Sequence, residues 1–194
     1  MDLTEQLIHR DELFRGDFLH AVRDRVRLPD GRVAEREFVL HPGAVMIIPL
    51  LDREGQSVEV VMERQYRHPV HRTLIELPAG KLDLQEDPLV CAQRELREET
   101  GYRASEWARA GVLHPVVAYS TEAIEIWFAR GLIAGERCLD EGEFLDVFHA
   151  TPRQLMDWCR DGTITDAKTL VGVLWLHNVL SGAWTLDWLT RTDT

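Results

Sequence analysis

Val22, Val26 and Leu28 share one side of an alternating run from Leu19 to Leu28 with Asp24, while Arg23, Arg25 and Arg27 take the other. That period of two predicts an extended strand. Pro29-Asp30-Gly31 interrupts the run and Val33 to Leu40 resumes it, so the two segments predict a hairpin around a turn signal. Few apolar residues occupy either face, which predicts an arm rather than a core element. After His41-Pro42-Gly43, Ala44 to Leu51 is continuously apolar, as in a strand buried on both faces. Ser57 to Tyr66 and Thr73 to Leu77 read as further strands, the first ending in polar Glu63-Arg64-Gln65-Tyr66-Arg67. Asp87 followed by Pro88 predicts a helix start: the carboxylate caps free N–H groups, and the missing proline N–H is not needed there. The helix should run to Thr100, with Gly101 as its stop.

Strands return at Arg109 to Val117, Thr121 to Arg130 and Glu143 to Ala150. Thr151-Pro152 opens a helix to Arg160, halted by Asp161-Gly162, and Asp166 caps a last helix through Leu180. This order predicts an α/β (α+β) fold, a mixed sheet with helices packed on it, preceded by an antiparallel hairpin arm. A chain of 194 residues suits one domain with a small appendage, here 1–41 as arm and 42–194 as the domain.

The net charge of −11 argues against a nucleic-acid partner, which must be met by a basic patch. An anionic substrate is still compatible where carboxylates gather cations. Cys91, Cys138 and Cys159 form no CxxC pair, so neither a zinc site nor a disulfide framework is expected. The segment from Met1 to Phe18 is charged throughout, unlike a signal peptide, and Ala44 to Leu51 falls short of the ~20 residues a membrane span needs. The expected compartment is a reduced cytoplasm, with no membrane partner.

The chemistry concentrates in GKLDLQEDPLVCAQRELREETGY, residues 80–102. Glu95 and Glu99 are four residues apart and Glu95 and Glu98 three, so three carboxylates share one side of a helix. Like charges at that spacing destabilise an isolated helix, and a hard divalent cation offsets the repulsion directly. A solvated acidic face is the ordinary alternative for such a cluster. Here the fixed positions decide: Gly80, Glu86, Arg94, Glu95, Glu98, Glu99 and Gly101 all stand at the spacing of the Nudix box. At ~7% usage each, a chance match has odds on the order of one in a hundred million per start position.

The chain therefore resembles a Nudix hydrolase, and the resemblance implies a Nudix-type mixed sheet sandwiched between helices. It implies Mg²⁺ (Mn²⁺ as a substitute) held by Glu95, Glu99, Glu98 and the Ala79 carbonyl, with Glu98 either a ligand or a group behind the ligands. Glu86 and Arg94 would form a structural ion pair, and Gly80 and Gly101 would serve tight turns. Outside the box, His41 to Val45, Glu63 to Arg67, Glu76 to Gly80 and Asp140-Glu141-Gly142-Glu143-Phe144 are similar to ADP-ribose pyrophosphatases. By that similarity Glu143 is the catalytic base, with Glu141 its rival, and Arg67, Arg36 and Glu37 contact substrate. The implied assembly is a homodimer that exchanges its arms. One departure stands out: the position fifteen residues after the box, often proline in members acting on ADP-sugars, is Val117. The implied reaction is hydrolysis of ADP-ribose to AMP and ribose 5-phosphate. Another nucleoside diphosphate sugar, a dinucleotide such as NADH, and a non-catalytic ligand sensor stay open.

Overall fold

The computed structural model describes residues 1–53, 55, 57–139 and 141–190. Two compact units make up the chain, Met1–Gly43 with His114–Ala123, and Ala44–Leu113 with Ile124–Thr194.

The first unit is a three-stranded antiparallel sheet of β1 (Gln6–Arg15), β2 (His20–Arg27) and β3 (Val33–Leu40), with β2 central. The expected two-stranded hairpin, β2 and β3, is thus extended by a strand within the segment read only as charged. Register shifts between Leu7 and His9 and between Glu12 and Phe14 mark bulges in β1. Each bulge inserts a residue and resets the side-chain alternation, so no period of two survives in QLIHRDELFR. All ten residues of β1 are exposed. On β2, Val22, Asp24 and Val26 are buried, and Arg10 closes on Asp24 with two bonds of 2.6 and 2.7 Å. A buried charge of this kind needs such a partner. The 114–123 segment attaches to β3 through Val39 N–H to the Tyr119 carbonyl and Thr121 N–H to the Val39 carbonyl.

In the second unit the main strands run β10 (Leu145–Ala150), β5 (Glu59–Arg67), β4 (Ala44–Leu51), β9 (Ile124–Ala134), β8 (Tyr102–Leu113) and β11 (Leu189–Thr190). Two short strands lie off this path, β6 (Arg72–Glu76) beside β5 and β7 (Ala79–Lys81) beside β4. The β4–β9 pair is parallel and the other pairs are antiparallel, which makes the sheet mixed. Helices α1 (Pro88–Thr100), α2 (Pro152–Asp161) and α3 (Ala167–Leu180) cover it. All of β4 is buried, and its alternate residues feed two cores. Val45 and Ile47 pack with Cys91 and Leu96 of α1, whereas Met46 and Ile48 pack with Val173 and Leu176 of α3. Gly172 lets α3 approach closely, since a Cβ there would stand 2.4 Å from Leu77 Cδ1. Among the described residues no helix is long and apolar enough to cross a membrane.

Helix ends fall where their caps predict them. Asp87 accepts from the N–H groups of Leu89 and Val90, and Thr151 and Gln154 form a reciprocal capping box. Strand ends fare worse. β8 begins at Tyr102, seven residues before the expected Arg109, and stops at Leu113, while Val116 and Val117 lie in a turn.

Candidate active site

The second half of α1 is organised by one guanidinium. Arg94 donates from Nε and Nη2 to the two carboxylate oxygens of Glu86 (3.0 and 2.9 Å), and from Nη2 to the Lys81 carbonyl at 3.1 Å. Its Nη1 reaches Glu95 at 2.7 Å and Glu98 at 3.2 Å. Bidentate pairing of this kind fixes geometry as well as charge. It ties the loop before α1 to the helix and holds the Glu86 carboxyl down to about 2. Gly101 ends the helix at φ 78°, and a Cβ there would stand 2.8 Å from the Gly135 carbonyl oxygen.

Glu95 and Glu99 turn toward β7. A Cβ on Gly80 would stand 1.8 Å from Glu95 Cδ, so Gly80 is the floor on which that carboxylate rests. Glu99, only 4% exposed, accepts from the Ala79 N–H at 3.1 Å, and Ala79 itself pairs with Met46 of β4. Burial pushes Glu95 up to about 6. Glu99 is raised well above the usual carboxylate range by burial, then by repulsion from Glu63, Glu95 and Glu143. Glu143, just before β10, accepts from Gln65 Nε2 at 3.2 Å, whereas Glu141 is exposed. Asp140 lies outside the described residues.

Arg67 gives Nε and Nη2 to Glu76 at 2.8 Å each, so its half-exposed fork is paired with a buried carboxylate at the end of β5. Lys168 of α3 binds the same Glu76 carboxylate and Asp166. Arg36 pairs with Glu5 and Glu37 with Arg23, all in the N-terminal unit, where Arg36, Glu37 and Phe38 line a cleft of about 400 Å³. The reading from sequence assigned no role to Glu63, Gln65, Glu76 or Lys168. Glu63 had a signal available, being a polar residue directly after the apolar run Val60 to Met62, with Gln65 on the same side of the strand. Lys168 had none, since it meets Glu76 across 92 residues of chain.

Mutually repelling glutamates gathered around a glycine floor fit a hard cation with oxygen ligands. As the side chains lie, no three His, Cys, Asp or Glu among the described residues converge as a ready cage. Arg94 holds Glu95 and Glu98, and the Ala79 N–H holds Glu99. The arrangement makes Gly80→Ala informative. Its methyl would displace only the flexible end of Glu95, so the melting temperature should change little. Affinity for Mn²⁺ should fall by at least ~10-fold, the scale for disturbing a ligand's support. A titration showing wild-type affinity would contradict the cradle.

Stability should also depend on pH in a defined window. Glu63, buried among Glu143 and Glu76, is pushed up to about 8. The unfolded chain releases such protons near 4.5. Between about pH 5 and pH 8 the folded apoprotein therefore holds more protons than the unfolded chain, and its stability falls as pH rises. Glu86, with its lowered value, acts oppositely but only below that window. Urea melts in chelator should show the decline and melts with Mg²⁺ a flatter curve, because the cation binds the folded state. A pH-independent midpoint in chelator would contradict the burial of these acids.

A glutamate-bearing helix behind a glycine loop, laid on a mixed sheet, is the site architecture of a Nudix enzyme. The NUDIX domain family matches residues 40–170, and the nucleoside diphosphate sugar hydrolase N-terminal domain matches residues 5–39. A methanol dehydrogenase activator from Bacillus methanolicus is 37% identical, over 89% of this chain and 92% of its own. ADP-ribose pyrophosphatases from Bacillus subtilis and Mycobacterium tuberculosis are 34% and 35% identical, covering 90% and 91% of this chain and 94% and 85% of theirs. The crystal structure of an ADP compounds hydrolase superposes with a TM-score of 0.82 over 94% of this chain and 98% of that one. Its 21% identity makes this a likeness of fold. The chain belongs to the Nudix family.

Proposed function

We propose that this protein hydrolyses ADP-ribose to AMP and ribose 5-phosphate with Mg²⁺, Mn²⁺ serving as a substitute. The observation that carries the reading is the gathering of two glutamates at β7, Glu95 on the Gly80 floor and Glu99 at the Ala79 N–H, with the Glu143 charge repelling both. Two relatives of near-equal length named ADP-ribose pyrophosphatase support the substrate.

Glu95, Glu99 and the Ala79 carbonyl would hold the cation, with Glu98 beside them. When bound, a divalent cation neutralises the diphosphate and makes water a better nucleophile at neutral pH. Arg94 keeps the glutamates oriented through its bonds to Glu86, Glu95 and Glu98. Glu143, steadied by Gln65, takes the proton of the attacking water at its free carboxylate oxygen. Arg67 contacts a phosphate or the base by exchanging part of its pairing with Glu76.

A second reading, hydrolysis of another nucleoside diphosphate sugar or of a dinucleotide such as NADH, is favoured by Val117 at the position often held by proline. The N-terminal family match, to nucleoside diphosphate sugar hydrolases in general, also admits it. A panel of nucleoside diphosphate sugars and NADH with Mg²⁺, scored by phosphate release after phosphatase treatment, separates the two. Fastest turnover with ADP-ribose supports the first reading, and a faster rate with another compound replaces it.

The active unit in this proposal is a homodimer whose N-terminal strands are exchanged, so that Arg36 and Glu37 serve the second subunit's pocket. In its support, β1 exposes Leu7, Ile8, Leu13 and Phe14 although it pairs with β2. Such surface is commonly covered by a partner. Sedimentation should show a dimer that is lost, together with substrate affinity, on removal of residues 1–40. A fully active monomer at nanomolar concentration would contradict it. The three free cysteines fit the proposed cytoplasmic location.

A further inference from the structure

Glu63 sits where a core strand would ordinarily carry a β-branched apolar residue. Val60, Val61 and Met62 precede it, all buried, and Glu63 itself is 2% exposed. Alternation puts Val61, Glu63, Gln65 and Arg67 on one side of β5. The last two are engaged, Gln65 with Glu143 and Arg67 with Glu76. Glu63 lies between them, paired across the ladder with Glu76 of β6 and Val147 of β10. Like charges directly opposite are unfavourable. Among the described residues its Oε1 is buried without a hydrogen-bond partner. Leaving such an oxygen unsatisfied is destabilising, more so when it is charged.

The cations nearest in effect are committed elsewhere. Lys168 binds Glu76 and Asp166, and Arg137 donates to the Leu145 carbonyl. The acids around Glu63 are Glu76, Glu99 and Glu143, so the field there is negative. A hard divalent cation answers both the unsatisfied oxygen and the excess charge.

We infer that Glu63 is an additional carboxylate of the divalent-cation site, giving its free oxygen to a cation held by Glu95 and Glu99, directly or through one water. This deepens the proposed function and rests on it for the identity of the site. It also accounts for an acid that is buried on β5 directly after Val60, Val61 and Met62.

The test compares full-length wild type, Glu63→Gln and Glu63→Val, stripped of metal, by Mn²⁺ titration followed by electron paramagnetic resonance and by melting with and without Mn²⁺. Both variants should bind Mn²⁺ at least ~10-fold more weakly, the scale for losing a supporting ligand. Their Mn²⁺-dependent rise in melting temperature should shrink, while metal-free Glu63→Val melts higher than wild type. Affinities within about twofold of wild type in either variant would overturn the inference, leaving Glu63 a buried acid without a ligand. So would a wild-type chain that binds no Mn²⁺. Failure of the proposed function reads separately, as a wild-type protein that binds Mn²⁺ yet leaves ADP-ribose intact.

Discussion

Glu99→Gln should lower turnover of ADP-ribose at least ~100-fold at saturating Mg²⁺, the scale for removing a main electrostatic contributor. The substitution keeps length and helix propensity, so α1 should form unchanged. The amide oxygen can still accept from the Ala79 N–H, which preserves the attachment of β7 to the helix. What disappears is one negative charge in a buried cluster that includes Glu63, Glu95 and Glu143. Relief of that repulsion should leave the metal-free variant at least as stable as wild type. The informative pairing is therefore a large loss of turnover beside an undiminished metal-free melt. Wild-type-like turnover would remove Glu99 from the ligand set.

Glu143→Gln should act on a different quantity. A general base contributes roughly 10²–10⁴-fold to the chemical step, and its loss leaves ground-state binding nearly unchanged. We expect kcat to fall within that range with KM close to wild type. The geometry favours Glu143 over Glu141, since Gln65 holds one oxygen of Glu143 at 3.2 Å on the side of β5 that also carries Glu63 and Arg67. Glu141 is exposed two residues earlier in the same loop. A larger loss from Glu141→Gln than from Glu143→Gln would move the base by those two residues.

The sequence made local features legible and hid those created by distant pairing. The ends of α1 depend on Asp87 and Gly101, whose cap chemistry acts within a few residues, and the helix lies where that chemistry predicts. β4 was readable because eight consecutive apolar residues admit burial on both faces. β1 was not, because two bulges scramble its alternation and the strand exposes all ten residues. The start of β8 was hidden for another reason. Glu106 there pairs with Arg130 on β9, so its polarity is balanced across the ladder rather than along the chain. At the site, the resemblance to the Nudix box singled out Glu86, Arg94, Glu95 and Glu99, and the structure pairs the first two. The partnership of Arg67, Glu76 and Lys168 draws on two strands and a helix, and no spacing rule reports it.

The central claim is that Glu95 and Glu99, gathered at Gly80 and Ala79, serve hydrolysis of a diphosphate bond, and product analysis tests it most directly. Purified full-length protein is incubated with ADP-ribose, with Mg²⁺ or with chelator, and the products are resolved by chromatography. The account predicts AMP and ribose 5-phosphate in equal amounts with Mg²⁺ and intact substrate in chelator. Intact ADP-ribose in both, or release of free ribose in place of ribose 5-phosphate, would contradict it.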